Sequence, residues 1–116
     1  MDLDVSTHHH GPVTVVTARG EIYFVTAPRL RTMLLDLTGQ GRHHLVIDLR
    51  EVDFMDSSAL GVLAGGLKRS RAGDGSYQVV CTTERLLAIF RITGLDRAMT
   101  ICGSVEQALA NQGQQP

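Results

Sequence analysis

The chain has 116 residues, 43% hydrophobic and 20% charged, enough for one domain with its own core and no covalent staples. Eleven basic against twelve acidic residues give a formal net charge of -1, which excludes the basic footprint that nucleic acid or an anionic membrane surface requires. Aromatic content is only 4%, so the core must be aliphatic.

The N-terminal "MDLDVSTHHHGP" lacks the basic start and apolar run of a secretory signal. No stretch approaches the roughly 18–20 apolar residues of a membrane span. "VTVVT", residues 13–17, is β-branched and reads as a strand, with Leu3-Asp4-Val5 as a weaker hairpin partner. "HHHGP" between them is expected to be a solvated turn. His8, His9 and His10 are consecutive, so their side chains diverge instead of converging on a metal. His43 and His44 are read the same way.

Thr26 is expected to cap a helix with Pro28 in its first turn. Leu30, Met33, Leu34 and Leu37 form its apolar stripe, and Gly39 or Gly41 ends it. "HLVIDL", residues 44–49, suits a buried strand. Next comes "EVDFMDSSALGVLAGG", residues 51–66, expected as a loop and then a helix through about Arg71, with Leu60, Leu63 and Leu67 facing inward. "GLKRSR", residues 66–71, reads as the solvated, basic last turn of that helix. Asp74-Gly75 makes a turn, and "YQVVC", residues 77–81, is another strand.

Thr82 or Thr83 opens a helix carrying Leu86, Leu87 and Phe90 that closes near Gly94. Ser104 and Gln107 match a capping box before a terminal helix, and "NQGQQP" is expected to fray. Cys81 and Cys102 follow apolar residues without metal-ligand spacing. They are expected as small buried or half-buried thiols in preference to a disulfide, consistent with a reducing cytoplasm. Strands and helices alternate after an opening hairpin, so the expected architecture is a single α/β domain over residues 1–116, its core about 12–110. Its mixed, largely parallel β-sheet has helices packed against it.

The quoted stretch poses a physical question. Asp56, Ser57 and Ser58 stand at a helix N-terminus, where a single cap would suffice. Gly61, Gly65 and Gly66 follow inside the helix, each costing roughly 0.8–1 kcal/mol relative to alanine. Either the bare backbone packs tightly on its own sheet or another molecule approaches it.

"EVDFMDSSALGVLAGGLKR" resembles the signature of STAS domains that act as bacterial anti-sigma factor antagonists. "GEIYFVTAPRLR", residues 20–31, and "LLAIFRITGL", residues 86–95, are similar to two further segments of that family, in the same order. The resemblance implies that Ser57 accepts a phosphoryl group beside Asp56. It implies a face formed by Glu21, Tyr23, Asp56, Ser58, Ala59, Gly61 and Gly65 that binds an anti-sigma factor with serine-kinase activity. Binding releases the sigma factor, phosphorylation of Ser57 switches binding off, and a phosphatase resets it. The domain is expected to be cytoplasmic, a monomer or weak dimer, with no cofactor; ATP and Mg²⁺ belong to the kinase. Tyr23 stands where the family usually has Asp, and Ala59 replaces a glycine, with its Cβ expected on the docking face.

Two other classes are weighed against this reading. One is a STAS scaffold in a signalling or lipid-transport assembly, with Ser57 a mere cap. The other is an enzyme or small-ligand binder, but no phosphate-binding glycine loop, Cys/His pair or nucleophile elbow appears. Asp48, Asp53 and Asp56 are too crowded for an aspartyl-phosphate receiver.

Overall fold

The computed structural model describes residues 2–113. Leu3–His10 (β1) and Val13–Ile22 (β2) form the opening antiparallel hairpin, followed by helix Ala27–Gly39 (α1), strand His44–Met55 (β3) and helix Ser57–Ala72 (α2). Strand Tyr77–Val80 (β4), helices Glu84–Thr93 (α3) and Leu95–Ala98 (α4), strand Thr100–Cys102 (β5) and helix Val105–Gly113 (α5) complete the chain. The five strands lie in sequence order, β1-β2-β3-β4-β5, and every pairing after the hairpin is parallel.

Sequential order has a packing consequence. Each crossover steps one strand in the same direction, and crossovers share one hand, so successive helices fall on one face of the sheet. The larger core accordingly joins Leu30, Leu34 and Leu37 of α1, Leu63 and Leu67 of α2, and Leu86 and Phe90 of α3 to Leu45, Ile47 and Leu49 of β3. The alternate strand residue Val46 points the other way and packs with Val13, Val15, Val80 and Ala108 under α5.

Several expectations are corrected. The three histidines are not a turn: His8, His9 and His10 close β1, exposed on an edge strand, and only Gly11 and Pro12 turn. The central strand does not stop at Leu49 but runs to Met55, so no loop precedes α2. Its outer half, "REVDFM", buries only Val52 and Met55, which hides the alternation of a half-buried strand. The short β5 and the single-turn α4 are additional elements. Ser104 and Gln107 do form a capping pair: the Gln107 amide donates to Ser104 Oγ at 3.0 Å, and Gln107 Oε1 accepts from the Gly103 amide at 3.3 Å. Cys81 and Cys102 are buried free thiols.

Both answers to the glycine question hold, at different positions. A methyl group at Gly66 would stand 2.7 Å from the Tyr77 hydroxyl and 3.1 Å from Leu34 Cδ1, whereas one at Gly61 would meet nothing within 4 Å. Gly66 therefore serves the packing of α2 on α1 and β4, and Gly61 leaves backbone bare to solvent. In urea denaturation, Gly61→Ala should stabilise the domain by about 0.5–1 kcal/mol. Gly66→Ala should destabilise it, because overpacking of about 1–3 kcal/mol exceeds the same propensity gain.

Burial pushes the Cys81 and Cys102 thiols and the Tyr77 phenol up from their ordinary values. The folded state thus favours their protonated forms. The stability this contributes is whole below the ordinary values and is lost as pH rises through the folded ones. The urea midpoint should fall between about pH 8 and pH 10.5, and Cys102→Ala should lessen the fall.

Candidate functional site

Parallel pairing brings the carboxyl ends of β2 and β3 side by side, with Glu21 opposite Phe54 and Ile22 opposite Met55. The register slips near Gly20, whose φ of 112° favours glycine, and a Cβ there would collide with the Asp2 carbonyl oxygen at 2.2 Å. Beyond Ile22 the chain forms a short strap, Tyr23 to Thr26, before α1. Thr26 precedes α1 as expected, but its side chain does not cap the helix. Its hydroxyl donates to the Glu21 carbonyl at 2.7 Å and accepts from the Tyr23 amide at 3.1 Å, bracing the strap instead.

Asp56 is the hinge between strap and helix. Its Oδ1 accepts from the Ser58 and Ala59 amides at 2.8 and 3.3 Å, which caps α2. Its Oδ2 accepts from the Phe24 amide at 3.0 Å, and its own amide donates to the Ile22 carbonyl at 3.2 Å. Ser57 is the first residue of α2; its side chain is exposed, and no hydrogen bond among the described residues engages its hydroxyl. A free hydroxyl at a helix N-terminus can receive an anionic group where the backbone dipole favours negative charge.

Residues 4–108 match the STAS domain family. A Bacillus subtilis protein called anti-sigma-B factor antagonist is 36% identical over 106 residues, spanning 91% of this chain and 96% of that protein. The chain belongs to the STAS-domain anti-sigma factor antagonist family. Its Staphylococcus epidermidis relative of the same name is 32% identical over 101 residues, spanning 87% of this chain and 94% of the relative. The crystal structure of an anti-sigma factor antagonist from Mycobacterium paratuberculosis superposes with a TM-score of 0.88 at 29% identity, covering 95% of this chain and 93% of that one.

Within this STAS domain the residues named from sequence fall into two groups. Ser57, Asp56, Tyr23, Glu21, Ser58 and Gly61 gather around the carboxyl ends of β2 and β3 and the start of α2, all exposed or half-buried. Ala59 does not join them: it is 0% exposed, in the core between α2 and the sheet. Its Cβ therefore faces away from any docking partner, contrary to the sequence expectation. Gly65 is also not bare, because the Arg69 guanidinium lies over it, with Nη1 3.2 Å from where a Cβ would stand. The aspartates do not assemble a receiver: Asp48 is buried against Arg50 at 3.0 Å, Asp53 is exposed and Asp56 caps α2. Among the described residues no cluster of three or more metal-ligating side chains forms.

The structure adds residues that the sequence reading passed over. Phe24 and Val25 stand 72% and 59% exposed on the strap, and Phe54 is 49% exposed at the end of β3. The Tyr23 and Phe24 rings meet edge to face with centroids 5.7 Å apart. The unbroken apolar run "IYFV", continuing past the strand end to Thr26, was the available signal. On α3, Arg85 Nη2 donates to the Asp53 carbonyl at 2.6 Å, pinning the neighbouring strand end.

Asp56→Ala should remove the cap and the strap's tether together. A loss of about 1–2 kcal/mol in urea denaturation is expected. Faster amide exchange at Phe24 and Ser58 should accompany it, and Asp56→Asn, which keeps one acceptor oxygen, should lose less.

Proposed function

We propose that this chain antagonises an anti-sigma factor through the face around Ser57 and that phosphorylation of Ser57 ends the interaction. The partner is an anti-sigma factor that carries serine-kinase activity and its own ATP and Mg²⁺. A phosphatase restores the binding form, and the exchange takes place in the cytoplasm. The observation that carries this reading is the Ser57 hydroxyl: exposed, unengaged, and set beside the Asp56 cap in a chain whose relatives are named antagonists. No helix among the described residues is long and apolar enough to cross a membrane, which is compatible with that setting.

Electrostatics explains how one group can switch binding without unfolding the domain. A phosphate adds about -1.5 to -2 charges. At the α2 N-terminus the backbone offsets about 0.3–1 kcal/mol of that charge, so the helix tolerates it. At an interface, one like-charge contact near 4 Å is worth about 4 kcal/mol at an effective dielectric of 20. Half of that already changes affinity more than tenfold. Phe24, Val25 and Phe54 supply the apolar area that makes the unphosphorylated complex form.

Incubation with the cognate anti-sigma factor and ATP should add the mass of one phosphoryl group, mapped to Ser57 and absent from Ser57→Ala. By calorimetry Ser57→Ala should bind the anti-sigma factor about as tightly as the parent chain, and Ser57→Asp about tenfold more weakly or worse. Gly61→Ala should weaken the complex while raising the domain's own stability. Unchanged binding by Ser57→Asp would leave Ser57 a helix residue with no switching role.

A further inference from the structure

The basic end of α2 is solvated at Lys68 and Arg71, as its sequence suggests, but Arg69 between them is half-buried. Ser70 is fully buried. The Arg69 side chain folds back along its own helix over Gly65. One residue on, Gly66 makes room for the Tyr77 hydroxyl, which would stand 2.7 Å from a Cβ at that position. Two consecutive glycines, together forgoing about 2 kcal/mol of helix propensity, thus house a guanidinium and a phenol within the same layer between α1, α2 and β4.

These groups lack partners among the described residues. Arg69 Nε and Nη2, the Tyr77 and Ser70 hydroxyls and His43 Nδ1 are all shielded from solvent, and none makes a hydrogen bond. No ion pair among the described residues involves Arg69. Native proteins pair nearly all their buried polar groups, and Arg69, half-buried with Nε and Nη2 shielded, has no counter-charge among the described residues. Arg69 and His43 also line an open pocket of about 530 Å³ between α1 and the end of α2, with Thr38 and Gly73 beside them and no acidic residue in its walls.

We propose that this seam is a binding site for a small oxyanion, held by the Arg69 guanidinium with Tyr77 and His43 supplying further donors. A guanidinium's planar fork matches carboxylate and phosphate oxygens, and nothing else in the seam neutralises it. Tyr77 keeps its proton to donate, because burial pushes the phenol far up and the Arg69 charge only partly offsets this. Arg69 lies twelve residues along α2 from Ser57, roughly 18 Å of helix axis. The site is therefore independent of the phosphorylation reading.

The full chain is titrated with sodium phosphate and separately with sodium acetate, each against sodium chloride at matched ionic strength. The readouts are the Arg69 Nε–H resonance and the thermal midpoint. A saturable shift with at least one oxyanion, absent in chloride, and a rise in midpoint are expected; which oxyanion responds tells phosphoryl from carboxylate ligands. Arg69→Met should abolish the rise. Tyr77→Phe, which keeps the ring and serves if Arg69→Met fails to fold, should weaken the apparent affinity about tenfold, and Ser57→Ala should bind unchanged. No saturable shift with either oxyanion, an equal response to chloride, or a rise that survives in both Arg69→Met and Tyr77→Phe would overturn the proposal and leave the seam to water and bulk ions.

Discussion

The two oxygens of the Asp56 carboxylate accept backbone hydrogen bonds from two distant segments, the strap at Phe24, 32 residues before Asp56, and the first turn of α2 at Ser58. Each bond alone is an ordinary cap or loop contact. Jointly they lock the entry of α1 to the entry of α2 across the ends of two parallel strands. The position of every other feature of the Ser57 face follows from that junction. The strap's aromatic ring, the exposed serine and the bare backbone at Gly61 are rigid neighbours because one side chain ties their backbones.

The sheet prepares this junction. Parallel strands in sequence order collect their carboxyl ends along one edge of the domain, where open α/β sheets place their functional crevices. Extending β3 to Met55 carries Phe54 and Asp56 past the body of the sheet, and the slip at Gly20 keeps β2 in step with it. The result sets the exposed Phe24, Val25 and Phe54 beside Ser57 at the strand ends, apolar area suited to meeting another protein. The opposite end of α2 has a different character, with polar groups withdrawn from solvent between two helices.

Much of this was legible from residue pattern alone. The α1 stripe, the strand cores at 13–17 and 44–49, the Ser104–Gln107 capping pair and the Asp56-Ser57-Ser58 helix start depend on local chemistry, and local chemistry is what a sequence displays. What escaped notice depends on direction or on distant partners. The inward stripe of α2 is Ala59, Val62, Leu63, Gly66, Leu67 and Ser70, shifted slightly from one drawn through Leu60, Leu63 and Leu67. Leucine attracts the eye more than alanine or glycine, yet the small residues are the ones pressed against the sheet. The outer half of β3 was hidden by its charges. Arg69 looked like a solvated cation because neither Gly65 nor Tyr77 reveals from sequence that it will shelter one.

The engagement of Asp56 also bears on how a phosphoryl group would reach its neighbour. With both carboxylate oxygens committed to main-chain amides, this acid is not positioned to draw the proton from the Ser57 hydroxyl. Among the described residues no carboxylate or imidazole hydrogen-bonds the Ser57 hydroxyl, so no base of this domain stands ready to deprotonate it. Any enzyme that modifies Ser57 must therefore arrive with its general base already in place, and recognition of this chain becomes inseparable from the geometry of the enzyme's own catalytic centre.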